Sequence, residues 1–153
     1  VIRALLASLL LALGGCAAPT IPAPAPETRT AGDVTVPADL VISSPRICAA
    51  LAVYELADHD DWGLRATIAG TALNGFRGAG RVPDCSAGVA VALTDRFSAR
   101  RWQEALDAVD AVTSGSYSVP LACARADAVV PLSKADARAH CVIYDLAFVS
   151  RAP

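Results

Sequence analysis

Histidine is nearly missing from this chain of 153 residues: His59 and His140 are the only two. A zinc centre built on three histidines is therefore excluded, and any triad needing an imidazole must use one of these. Glutamate is almost as scarce, at Glu27, Glu55 and Glu104. Positive charge is not in excess, since thirteen Lys and Arg face fifteen Asp and Glu for a net charge of −2. That argues against a nucleic-acid partner held by a basic face. There is no C-x-x-C, which disfavours a small thiol redox protein. No charge run exceeds Asp60-Asp61, and no internal repeat is visible. What the chain does have is apolar residues, 54% against 18% charged, so it is not a disordered polypeptide. Its length suits one domain, or less if processed.

The N-terminus reads as an export signal. Arg3 is a minimal charged region, and Ala4 to Leu13 is a predominantly apolar run. At about ten residues it fits a signal peptide and is too short to span a bilayer comfortably. It ends in Leu13-Gly14-Gly15-Cys16, which resembles a bacterial lipobox. The resemblance implies that residues 1–15 are a signal peptide and that the Cys16 thiolate takes a diacylglycerol. From Cys16 to residue 40 the chain is rich in Pro, Ala and Thr, with five of its ten prolines between Pro19 and Pro37. Such a composition does not pack a core and favours extended conformations, at ~3.1 Å per residue. It reads as a disordered tether. The expected location is the cell envelope, lipid-anchored and periplasm-facing, with Ala17 and Ala18 favouring the outer membrane. The folded part is then 41–153, roughly 110 residues and one modest core.

With Cys16 set aside, Cys48, Cys85, Cys123 and Cys141 remain. Four cysteines in a small exported domain imply two disulfides with three connectivities. Sequence proximity prefers 48–85 with 123–141. A four-cysteine metal site lacks the close ligand spacing it needs, so no metal and no cofactor is expected.

Ser44-Pro45 is a helix start, a capping serine before proline at the first position. Ile47, Leu51 and Tyr54 share a face, and the helix should run to about Ala57. Asp60 or Asp61 caps a second helix with Leu64, Ile68, Ala69 and Leu73 inward, ended by Asn74-Gly75 and the glycines Gly78 and Gly80. A short helix covers Ala87 to Leu93. Ser98 caps the most periodic segment, carrying Trp102, Leu106, Val109 and Val112, and Gly115 stops it. Beyond it, Val129-Val130 and Cys141-Val142-Ile143-Tyr144 read as short strands. The fold class is mainly α with a small β part, an α+β domain.

Glu55 closes the first helix beside Asp58, Asp60 and Asp61. A carboxyl group there, partly buried, would keep its proton at neutral pH and serve as a general acid; a solvated turn that merely caps the next helix is the plainer alternative. The segment Cys48-Ala49-Ala50-Leu51-Ala52-Val53-Tyr54 resembles the opening motif of bacterial cell-wall hydrolases of the spore-cortex-lytic type. Leu73-Asn74, Val82-Pro83-Asp84-Cys85, Arg96-Phe97-Ser98, Trp102-Gln103-Glu104-Ala105-Leu106, the Ala126-Asp127, Val129 and Pro131 pattern, and His140-Cys141-Val142-Ile143-Tyr144 follow in the family's order. The likeness spans nearly all of 48–148 and implies a lysozyme-like fold and a substrate in the glycan strand of peptidoglycan.

The departures lie at the catalytic box. Ungapped alignment sets Leu56 on the family's catalytic glutamate, with Glu55 one residue early, and Asp60 on the box's second acid. The family's histidines fall on Cys123 and Arg125. Either a one-residue slip lets Glu55 act, as an equally early Gly63 suggests, or the site is dead. A helix turns about 100° per residue, so Glu55 and Leu56 cannot enter one groove unless the helix ends or bulges there. The candidates are Glu55 as acid, Asp60 as second carboxylate, and Asn74 and Trp62 as substrate contacts. One carboxyl suffices if the sugar's own hydroxyl closes an anhydro ring, as in lytic transglycosylases. Tyr54 and Tyr117 are further stacking candidates with core packing as the alternative. Trp102 reads as core, His59 as solvated and His140 as packed near the last strand. The two classes left are a peptidoglycan glycosidase or lytic transglycosylase and a non-catalytic glycan-binding or structural lipoprotein. Either is expected as a monomer with the wall polymer and the membrane as partners.

Mass mapping without reductant is expected to find two bridged peptide pairs among the four cysteines of the folded part. Free thiols at those positions would undo the argument for an oxidising compartment.

Overall fold

The structure is a computed structural model that describes residues 28–31, 34–37, 39–92, 97–135 and 139–151. Residues 1–15, read as a signal peptide, lie outside the described residues, as do Cys16 and Glu27. Strands β1 (Thr28–Ala31) and β2 (Val34–Pro37) pair antiparallel, Thr28 opposite Pro37 and Ala31 opposite Val34. This strand pair falls within the stretch read as disordered tether. Its Thr and Val residues suit a pleated backbone, and the proline of β2 comes last, where a missing donor costs least.

Helix α1 (Pro45–Leu56) begins as expected, with Ser44 Oγ accepting from Ile47 N at 3.4 Å. It is apolar around most of its circumference: Cys48, Ala49, Ala50, Leu51, Val53 and Tyr54 are all buried. A helix apolar on all sides is a central helix. Helix α2 (Trp62–Ala79) is capped by Asp61, whose carboxylate accepts from Leu64 N at 2.8 Å. It does not stop at Asn74-Gly75 but runs on to Gly80, which takes the left-handed conformation at φ 66°. Gly75 has a different purpose. A Cβ there would sit 2.6 Å from the Asp127 carbonyl oxygen, so the glycine lets the chain at 127 close onto the helix.

Helix α3 (Ser86–Ala92) is short, and α4 (Ala99–Thr113) opens on Ser98, whose Oγ accepts from Arg101 N at 3.3 Å. Gly115 follows its end at φ 74°. Helices α1, α2 and α4 pack mutually. Ala105 and Ala108, both fully buried, let α4 approach closely. The C-terminal part is a three-stranded antiparallel sheet: β3 (Ala128–Pro131), β4 (Ala139–Ile143) and β5 (Leu146–Val149), in the order β3-β5-β4. The sequence pointed to β3 and β4 but not to β5, the central and most buried strand. Leu146-Ala147-Phe148-Val149 has no alternation because both of its faces are covered. Phe148 is wholly buried and joins the helical core formed by Leu64, Ile68, Val53 and Val109. The domain is therefore mixed α and β and mainly helical.

Both preferred disulfides are present. Cys48–Cys85 ties α1 to the segment before α3, and Cys123–Cys141 ties the loop before β3 to β4, with Cα separations of 5.6 and 5.3 Å. Asn74 Nδ2 donates at 2.9 Å to both the Ala124 and Ala126 carbonyls, fixing that loop onto α2. No described helix is long and apolar enough to cross a membrane.

Gly75→Ala is expected to cost about 1–3 kcal/mol in urea unfolding, because backbone blocks the new methyl. Gly78→Ala in the same helix meets nothing within 4 Å. It should be neutral or stabilising by up to about 1 kcal/mol. Equal effects would show that the approach of Asp127 does not govern position 75.

Candidate functional site

Successive four-residue rows of α1 face different neighbours. The row Cys48, Ala52, Leu56 lines a cavity of about 360 Å³ that α2 completes with Ile68, Thr71, Ala72, Gly75 and Phe76. Asp127, Ala128, Val129, Arg81 and Arg151 close its far side. The next row, Ile47 and Leu51, lines a separate apolar groove of about 310 Å³ with Ile42, Val89, Ala92, Phe97 and Trp102. Glu55 continues that second row, one turn beyond Leu51. Its Oε1 lies 3.2 Å from where a Cβ on Gly88 would stand, with Leu51 Cδ1 at 3.5 Å from the same point. Glu55 and Leu56 are both helical residues, the cap being Ala57, so the helical rotation still separates them. Leu56 lines the larger of the two grooves, and Glu55 is on the lining of neither.

The Glu55 side chain is exposed along one flank. Its carboxylate leans over α3, and the partial burial there raises its pKa above the ordinary glutamate value. No hydrogen bond or ion pair to it is found among the described residues. Phe97 and Trp102 of the neighbouring groove both pack on Tyr54, with ring centroids 5.9 and 6.0 Å away. Tyr54 is thereby a core ring; its hydroxyl also accepts from Ser98 N at 2.8 Å. The Arg101 guanidinium donates to the Tyr54 and Ala57 carbonyls at 2.9 and 3.1 Å, closing the C-terminus of α1.

Asp60 is held elsewhere. Arg65 Nη2 reaches Asp60 Oδ1 at 2.9 Å and Glu104 Oε2 at 3.0 Å, and Arg100 pairs with Glu104 from the other side. The hydrogen bond from Arg65 keeps the Asp60 carboxyl below its usual range, so it stays ionised. The contact to Glu104 Oε2 is an ion pair by distance but not an aligned hydrogen bond. Trp62 is 40% exposed, beside Tyr117 in an edge-on contact with centroids 6.5 Å apart, and lines neither groove. Asn74 spends its amide protons on the loop carbonyls. His59 stacks on Tyr144 at 4.1 Å and is bonded by Asp58; His140 Nε2 pairs with Ser150 Oγ at 2.7 Å. Tyr144 sits in the β4–β5 turn at φ 54° and donates to Asp61 Oδ2 at 2.8 Å. The structure thus does not gather Glu55, Asp60, Trp62 and Asn74 into one site.

The cavity beside Leu56 holds polar groups that sequence reasoning did not single out as a site. Thr71 is 1% exposed and its hydroxyl has no hydrogen-bond partner among the described residues. Leaving such a hydroxyl unpaired costs about 1–3 kcal/mol. Thr67, one turn earlier, avoids this by donating to the Gly63 carbonyl at 2.7 Å. Asp127 Oδ1 accepts from Arg151 N at 2.7 Å. The Arg81 and Arg151 guanidinium groups have no ion-pair partner among the described residues. The available signal was a hydroxyl inside the stripe Ile68, Ala72, Phe76 of α2; nothing local marked Arg81, just past the cap of α2, or Arg151, which arrives from a distant segment.

One further cluster, Asp58, His59 and Asp145, brings three potential ligand atoms within 4.8 Å of one another. All three residues are exposed. No protein family, curated protein or solved structure matches this chain.

The raised value of Glu55 has a defined sign. The folded state holds that proton more tightly than the unfolded chain, so stability falls as pH rises between the ordinary glutamate value and the raised one. A carbon-detected titration is expected to place the Glu55 carboxyl above the model-peptide value. In parallel, Glu55→Gln should remove part of the loss of stability over that window. An ordinary midpoint would show that α3 does not shield the group.

Proposed function

We propose that the chain is an envelope lipoprotein, anchored through a lipid on Cys16 and facing the periplasm, with the outer membrane favoured. Its domain is a divergent, lysozyme-like relative of the spore-cortex-lytic cell-wall hydrolases that holds peptidoglycan without cutting it. The observation carrying this reading is Leu56 on the wall of the larger cavity, where general acid catalysis needs a carboxyl group. An isobutyl group cannot donate a proton to a glycosidic oxygen. Asp60 does not compensate, because it is ionised and bound to Arg65. The two disulfides agree with an oxidising compartment.

A second reading keeps catalysis and is favoured by Glu55 itself. Its pKa is raised by partial burial, and it extends the row of α1 that borders Phe97 and Trp102. In that reading the carboxyl protonates the leaving oxygen and the substrate supplies the internal nucleophile. Against it stands the groove's lining, which is almost wholly apolar, with the Trp102 indole N–H as its one side-chain donor for a sugar's hydroxyls.

Digestion of purified sacculi separates the two. With wild type and Glu55→Gln side by side, no soluble muropeptide is expected from either, while both sediment with the sacculi. Muropeptides released by wild type alone would replace the holding reading with the glycosidase one. Failure of both proteins to sediment would remove peptidoglycan as the partner.

A further inference from the structure

We propose that the cavity between α1, α2 and the start of β3 binds a carboxylate on a short aliphatic body: the C-terminal end of a small, alanine-containing peptide. The inference rests on the reading of this cavity as a holding site and narrows it, from the sugar strand of the wall polymer to the free end of its peptide.

Three features point to that chemistry. The first is charge. Arg81 and Arg151 border the cavity without an ion-pair partner among the described residues, and Asp127 is the one acid on its lining. Asp127 is already engaged by the Arg151 backbone N–H. The balance is one net positive charge, and guanidinium groups grip a carboxylate through two parallel hydrogen bonds.

The second is the wall. Ala52, Ala72, Ala128 and Gly75 present methyl groups or none, and Phe76 is the lone aromatic ring on the lining. A sugar carries hydroxyls around its whole edge and needs a polar partner for each that is buried. The methyl-lined part offers none and leaves polar contacts to Thr71, Arg81, Asp127 and Arg151, so it suits alanine side chains better than a sugar ring. The volume of about 360 Å³ suits a ligand of one or two residues.

The third is Thr71. Thr71 is on the cavity lining, and its hydroxyl is buried without a hydrogen-bond partner among the described residues. Thr67 on the same helix shows that back-bonding to the preceding turn is open to a threonine here. A turn of the Thr71 side chain about its Cα–Cβ bond, which no hydrogen bond opposes, would offer the hydroxyl to a peptide C=O or N–H in the cavity. The parts are then complementary: guanidinium for the carboxylate, hydroxyl for the adjoining amide, and methyl-lined wall for the side chains.

Calorimetric titration of the full chain tests this with N-acetyl-alanyl-alanine, the same dipeptide as its C-terminal amide, and a neutral N-acetylglucosamine tetramer. The free acid is expected to bind at least tenfold more tightly than the amide. Thr71→Val and Arg151→Gln should each weaken it fivefold or more. Thermal unfolding checks that both variants remain folded: the first is nearly the same shape and the second is exposed near the chain's end. Equal affinity for acid and amide, or binding of the tetramer with none of the acid, overturns the inference. Sedimentation with sacculi is read in parallel. Sacculi bound without preference for the acid would sink this inference alone. Acid bound without sacculi would sink the proposed function and leave the carboxylate site standing.

Discussion

A helix advances about 100° per residue, and in this protein that rotation separates the chemistry from the cavity. Helix α1 is buried on nearly every side, so each of its four-residue rows must meet a neighbour. The row ending in Leu56 meets α2 and the loop at 127. The row ending in Glu55 meets α3. Neither residue can take the other's place without turning the whole helix, and Ala49, Ala50, Leu51 and Val53, each at most 3% exposed, leave no room for that. The Cys48–Cys85 bridge holds the same phase from outside.

Around that fixed axis, the acidic turn between α1 and α2 is built for joining rather than for proton transfer. Asp61 caps α2 and accepts from Tyr144, which also stacks on His59. Asp60 pairs with Arg65, and Arg101 closes the carbonyls where α1 ends. Each carboxylate of the turn except Asp58 is thereby tied to a different element, and Asp58 is bonded to His59. Charged groups so committed are poor acids and bases, because a proton taken up by any of them would break a contact that orders the loop. The resources for ligand recognition lie instead on the other side of α1, in uncommitted guanidinium groups and one unpaired hydroxyl.

Much of the fold was legible because it is local. The serine caps at 44 and 98, the aspartate cap at 61, and the left-handed glycines at 80 and 115 are read within a few residues. Cysteine pairing followed from proximity and export. Strand β5 was missed because a strand covered on both faces carries no alternation to read. The end of α2 was placed early because Asn74-Gly75 looks like a stop signal, while both residues instead serve contacts with 124–127. The hairpin at 28–37 was hidden in a stretch whose prolines dominate its composition.

By itself the sequence determined the helix starts, the mainly helical class and a preference for the observed bridges. Those follow from backbone sterics and spacing, which act over one or two turns. Only the tertiary structure decided that Leu56 rather than Glu55 lines the larger cavity, since a helix's phase is set by what packs against its circumference. The same holds for the cavity: Thr71 and Arg81 belong to α2 and its end, Asp127 and Arg151 lie far along the chain, and the closure of the loop at 127 onto Gly75 brings the two pairs around one cavity.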